Sequence, residues 1–160
     1  MKTNSQLAKQ LGKLLKSREL HLVTAESCTG GGLAYAITSI PGSSTWFDRG
    51  FITYSNESKR ALLNVSQKTV DEKGAVSLET AQEMAEGALA NSLADIAISI
   101  TGIAGPDGGS REKPVGTICF ALAQKQKLTQ TFSKNFSGSR KKIREQAVQF
   151  ILHWILTHLH

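Results

Sequence analysis

The chain has 160 residues, 40% of them hydrophobic, and its 19 Lys and Arg against 13 Asp and Glu give a net charge of +6. That length supports one domain with a substantial core, since domains of ~100–150 residues are the commonest size, and residues 1–160 are read as a single domain. No run approaches the ~20 apolar residues that cross a bilayer, the lysine-rich start lacks the apolar stretch of a secretory signal, and Cys28 and Cys119 show neither CxxC spacing nor a paired framework. These features exclude a membrane-spanning chain and a disulfide scaffold, and they point to a cytoplasmic protein with reduced thiols.

From Ser5 to Ser17, Leu7, Leu11, Leu14 and Leu15 recur at helical spacing, predicting an amphipathic helix with its lysines in solvent. HLVTAES reads as a short strand. TGGGLAYAITSI reads as a helix stopped by Pro41 and Gly42, although glycine costs ~1 kcal/mol against alanine inside a helix and so needs another reason to be there. FITYS is the next strand, with the run Gly50 to Thr53 read as buried, and NESKRALLN begins with an asparagine able to cap a helix. After a turn around Gly74, Ser77 caps a helix over SLETAQEMAEGALANSLA, which carries Leu78, Ala81, Ala85, Ala88 and Leu89 on one face. DIAISIT and VGTICFALA are continuous apolar runs of the kind buried on both faces of a sheet. KLTQTFSKNF alternates apolar and polar residues, predicting an antiparallel neighbour reached through the turn QKQK. A last helix runs from Ser139 to Leu159. Strands alternating with helices, then a hairpin and a helix, predict a three-layer α/β/α sandwich with a mixed, mostly parallel sheet.

Three stretches can carry chemistry. AESCTGGG puts Ser27, Cys28 and Thr29 where a strand ends and a helix opens; helix N-terminal amides there bind an anion or hold an oxyanion, and Gly30 and Gly31 permit close approach to the backbone. Ordinary turn and cap chemistry explains the same letters. The stretch matches no nucleophile elbow, Walker loop or dinucleotide fingerprint. His21, His153, His158 and His160 are too few and too scattered for a metal site or a histidine base, which leaves lysine as the better activator of a hydroxyl. Ser110 with Lys113 and Ser139 with Lys142 have SxxK spacing, but in basic, exposed-looking segments.

Tyr54 and Lys59 are the second feature. Both titrate near pH ~10 when unperturbed, but a lysine at a helix start and partly buried has its charged form disfavoured. A core tyrosine and a solvated lysine are the alternative. Third, Arg140, Lys141, Lys142 and Arg144 crowd the start of the last helix, where cations oppose the macrodipole at ~0.3–1 kcal/mol each. A bound phosphate or carboxylate would supply the missing charge; a solvated basic patch would not need one.

Taken together, TAESCTGGGLAYAITSIPGSS, FDRGFITYSNESKRALLNV, EKGAVSLETAQEMAEGA, ADIAISITGIAGPDGG, KPVGTICFAL and SGSRKKIR resemble the CinA C-terminal-domain family, in family order and over nearly the whole chain. Its characterised members are nicotinamide-nucleotide amidohydrolases. The resemblance implies deamidation of nicotinamide mononucleotide to nicotinic acid mononucleotide and ammonia, in pyridine nucleotide recycling, with no metal or organic cofactor and a homodimeric state. It makes Ser27 the nucleophile, with Lys59 as its base linked through Tyr54. Cys28, Thr29, Gly30 and Gly31 then supply the oxyanion turn, Thr101 and Gly102 line the pocket, and Arg140 meets the phosphate. The chain departs from the family pattern at Ser139 and Leu78, where acids are frequent, and the first change bears on how Arg140 is positioned. A competing reading is a CinA-like binding module without deamidase activity, tied to competence or DNA damage. Its nucleic-acid partner is disfavoured by the lack of aromatic residues interleaved with basic ones. Another is a hydrolase acting on a different pyridine amide.

Overall fold

The structure is a computed structural model and describes residues 1–159. Among these, five strands, β1 (Leu22–Glu26), β2 (Phe47–Ile52), β3 (Ile96–Gly102), β4 (Thr117–Gln124) and β5 (Gln130–Asn135), form one sheet in the order β2-β1-β3-β4-β5. β1 runs parallel to both β2 and β3, β4 runs against β3, and β5 runs against β4, so every strand except β4 points the same way. The helices are α1 (Asn4–Ser17), α2 (Gly32–Thr38), α3 (Asn56–Leu63), α4 (Gln67–Lys73), α5 (Leu78–Ala90) and α6 (Arg140–His158). This is the expected three-layer sandwich with a mixed sheet.

Alternation along the central strands sorts the core by size. Leu22, Ile96, Ile98, Ile100, Ile118, Phe120 and Leu122 face α1, α2 and α6, where Leu11, Leu33 and Ile151 meet them. Their neighbours Val23, Ala25, Ala97, Cys119, Ala121 and Ala123 face the other way, onto Leu63, Ala81, Met84, Ala85 and Ala88. Small residues on both surfaces bring α5 close to the sheet. Gly87 extends this to α3, since a Cβ there would stand 1.8 Å from the Leu63 carbonyl oxygen.

Three local expectations change. The second strand begins earlier than FITYS, at Phe47, and ends at Ile52; as a half-exposed edge strand it leaves Gly50 and Ile52 exposed and Phe51 half-buried, and of the run Gly50 to Thr53 only Thr53, just past the strand, is buried. The cap of α3 is Ser55, whose hydroxyl accepts from the Ser58 amide, and Asn56 is the first helical residue. A short helix, α4, fills what reads as featureless chain, because its only large apolar side chain is Val70 and periodicity has nothing to register. Ser77 does cap α5, accepting from the Thr80 amide, and Leu78 beside it is exposed, so the missing acid there disturbs no packing.

Candidate active site

The carboxyl ends of β1 and β3 open onto a cavity of about 170 Å³ lined by Ser27, Cys28, Tyr54, Lys59, Thr101 and Arg140, among others. The crevice beyond the strand ends is where open α/β sheets place ligands. Ser27 follows β1 directly and its amide donates to the Ile100 carbonyl, which fixes it to β3. Lys59, in the first turn of α3, is 1% exposed, and its Nζ lies 2.9 Å from Ser27 Oγ, 3.0 Å from the Thr53 carbonyl and 3.5 Å from the Tyr54 carbonyl. The amine finds no carboxylate among the described residues. Burial therefore lowers its pKa below the ordinary lysine value. A charged Cys28 would oppose that shift, but burial, reinforced by Glu26, pushes the Cys28 thiol up to about 12 and keeps it neutral.

The Ser27–Lys59 contact needs no intermediary. The Tyr54 phenol, expected to link them, is not brought between them: the residue precedes the Ser55 cap, the chain presents its carbonyl to Lys59, and the side chain turns outward, where its hydroxyl accepts from Arg140 at 2.8 Å. Arg140 also donates to the Gly105 carbonyl at 2.8 Å, so it straps the cavity mouth between two loops. Ser139, in place of the acid, caps α6 by accepting from the Lys142 amide and takes no part in holding Arg140. The Thr101 hydroxyl is turned away to the Ala75 carbonyl at 2.8 Å, and Gly102 is required by packing, since a Cβ would stand 2.2 Å from Ile118 Cδ1.

The turn after Ser27 differs most from expectation. The first amides of α2 do not face a ligand. They are taken by Glu26, a fully buried carboxylate that accepts from Leu33 N at 2.9 Å, Ala34 N at 3.0 Å and Thr29 Oγ1 at 2.6 Å. Acid at a helix N-terminus satisfies both the orphan amides and the dipole. Gly30 and Gly31, at φ +57° and +101°, make the left-handed steps that side chains resist. Gly30 N closes the turn onto the Ser27 carbonyl, while the amides of Cys28 and Thr29 donate to no protein acceptor among the described residues. Glu26 and Arg144 both act on this turn: the sequence offers no role for Glu26, and Arg144, expected with its basic neighbours to face a phosphate or carboxylate or solvent, instead donates to the Cys28 and Thr29 carbonyls. A glutamate ending a fully buried strand is the available signal for the first.

The fold and the buried serine–lysine contact define an α/β/α protein with a hydrolase-like site at its strand ends. The model of the CinA C-terminal domain matches residues 4–159, and the chain belongs to that family. It is 52% identical over 147 residues to the nicotinamide-nucleotide amidohydrolase PncC of Shigella flexneri, covering 92% of this chain and 89% of that protein. A CinA-like protein of Endomicrobium trichonymphae is also 52% identical, over 93% of this chain but 35% of its own length. Among solved structures, the competence/damage inducible protein CihA of Agrobacterium tumefaciens superposes with a TM-score of 0.93 at 41% identity, covering 96% of this chain and 94% of that one.

Proposed function

We propose that this protein is an amidohydrolase that converts nicotinamide mononucleotide to nicotinic acid mononucleotide and ammonia, with Ser27 as nucleophile and Lys59 as base. The observation that carries this reading is the 2.9 Å contact between a serine hydroxyl and a buried, unpaired amine inside a small cavity. Its substrate is supported by similarity to the PncC relatives. At about 170 Å³ the cavity is smaller than the ~300–1,000 Å³ of a typical ligand site. It would take the pyridine carboxamide and leave the ribose phosphate at the mouth, beside Arg140.

Neutral Lys59 has two N–H groups and one lone pair, and its neighbours match: two carbonyls to accept, one hydroxyl to donate. As Ser27 Oγ attacks the carboxamide carbon, its proton passes directly to Lys59, and the new oxyanion faces the free amides of Cys28 and Thr29. The tetrahedral intermediate collapses, Lys59 returns the proton to the departing nitrogen, and ammonia leaves. Water, deprotonated by the same amine, then cleaves the acyl-serine. Tyr54 holds Arg140 at the mouth rather than relaying the proton.

Ammonia release from nicotinamide mononucleotide, abolished in Ser27→Ala, is the expected result. No release at high enzyme concentration would defeat the assignment and return the binding module. A module has no evident use for a buried amine against a serine.

A further inference from the structure

We infer that Arg144 is a positioning residue for this reaction, holding the Ser27–Gly30 turn so that its central amide, the Thr29 N–H, faces the nucleophile. The inference rests on Ser27 acting as proposed above. Arg144 Nε donates to the Cys28 carbonyl at 3.1 Å and its NH2 group to the Thr29 carbonyl at 3.3 Å. No carboxylate pairs with it among the described residues. Arg144 sits in the second turn of α6, where neither the helix dipole nor a partner carboxylate accounts for its placement.

The turn is closed by Gly30 N donating to the Ser27 carbonyl at 3.0 Å, which makes the Cys28–Thr29 peptide its central unit. A central peptide is the part of a β-turn that can tilt without moving the ends; full exchange to type II would need a positive φ at Thr29, which a β-branched residue resists, so the carbonyl's partner sets the tilt within the present turn. In a trans peptide the C=O and N–H point in opposite directions. Whatever grips the Cys28 carbonyl therefore aims the Thr29 N–H.

Arg144 grips it from the side of α1, α2 and α6, where it lines a separate cavity together with Thr29 and Gly32. Ser27 and Lys59 lie on the opposite side, that of α3. With its carbonyl held by Arg144, the peptide turns its N–H away from that side and toward the side of Ser27. Glu26 steadies the same turn through the Thr29 hydroxyl and the α2 amides, but it touches neither carbonyl. A guanidinium on the carbonyl also polarises the peptide and strengthens its N–H as a donor.

Two variants and two readouts test this. Arg144→Met keeps the aliphatic stem and removes every donor; Arg144→Lys keeps the charge but has no fork for two carbonyls. Loss of one oxyanion donor costs roughly 10²–10³ in kcat, so Arg144→Met is expected to lose about that factor on nicotinamide mononucleotide with KM within about threefold of the parent, and Arg144→Lys to recover part of it.

The second readout is the rate at which a fluorophosphonate labels Ser27. There the serine oxygen displaces fluoride from phosphorus, its proton passes to Lys59, and the phosphoryl oxygen takes up negative charge in the same place as the amide oxyanion. Labelling should slow in parallel with kcat. A kcat and labelling rate within about threefold of the parent in both variants, or a raised KM with kcat kept, would overturn the inference. If Arg144→Met does not fold, Arg144→Lys decides by the same criteria. A parent that is not labelled at Ser27 sinks the nucleophile assignment as well. A parent that is labelled but releases no ammonia sinks only the substrate, and labelling then decides the role of Arg144.

Discussion

The Lys59 amine carries a desolvation cost that shows in two pH profiles. Its folded pKa lies below the unfolded one, so between the two values the unfolded chain binds the extra proton and stability rises with pH. Below the folded pKa both states are protonated, and the full cost of the buried charge is present. A series of unfolding temperatures should therefore climb as pH rises toward the ordinary lysine value of ~10.4, and Lys59→Met should flatten that climb. A parent profile parallel to that of the variant would contradict the neutral amine. Activity follows the same group: kcat should fall as pH drops through the lowered pKa, and Lys59→Met should lose on the order of 10³-fold or more. Cys28 gives a separate check. With its thiol pushed up to about 12, alkylation by iodoacetamide near pH 8 should be slow in the folded protein and fast after denaturation. Rapid modification of the native protein would show that the thiol is not held as described.

Among the elements, α5 decides how closely α3 approaches. Replacing a helical glycine by alanine ordinarily gains ~1 kcal/mol, yet the Gly87→Ala methyl would enter the Leu63 carbonyl at 1.8 Å. Main chain cannot move aside as a flexible side chain can. Overpacking of this kind costs ~1–3 kcal/mol, so the net expectation is a lower unfolding temperature together with lower activity, since α3 carries Lys59 and Leu63 one turn apart. An unchanged or raised unfolding temperature would mean that the two helices part without cost. β3 and β4 were legible because unbroken apolar runs have few other uses, and α5 because Ser77 announces its start. β2 was placed late because its burial is intermittent at a sheet edge, and α4 was missed because a single valine sets no period.

For the molecule as a whole, the net charge of +6 and an arginine at the cavity mouth that meets no carboxylate among the described residues favour an anionic substrate. Screening lengths shorten to ~10 Å at 0.1 M salt. Accordingly kcat/KM for the mononucleotide should fall as salt rises, while that for the nucleoside, which lacks the phosphate and keeps the cationic pyridinium, should not fall, and Arg140→Gln should raise KM for the mononucleotide alone. Equal salt dependence for both substrates would remove Arg140 from phosphate recognition. A homodimer, implied by the resemblance, should give light scattering twice the chain mass of 17.3 kDa, and a mass of one chain at working concentrations would reject it.

The sequence by itself determined the α/β order of elements, the family, and the residue types from which the site is built. Apolar runs, caps and glycines act locally and so can be read locally. Only the tertiary structure decided that Lys59 meets Ser27 without Tyr54 between them, that Glu26 takes the helix amides expected to face a ligand, and that Arg144 reaches the turn from the opposite layer. Those relations are set by which face of the sheet each side chain leaves, and by how far apart the close packing of α3, α5 and α6 lets the layers stand. Neither quantity is a property of any short stretch of chain.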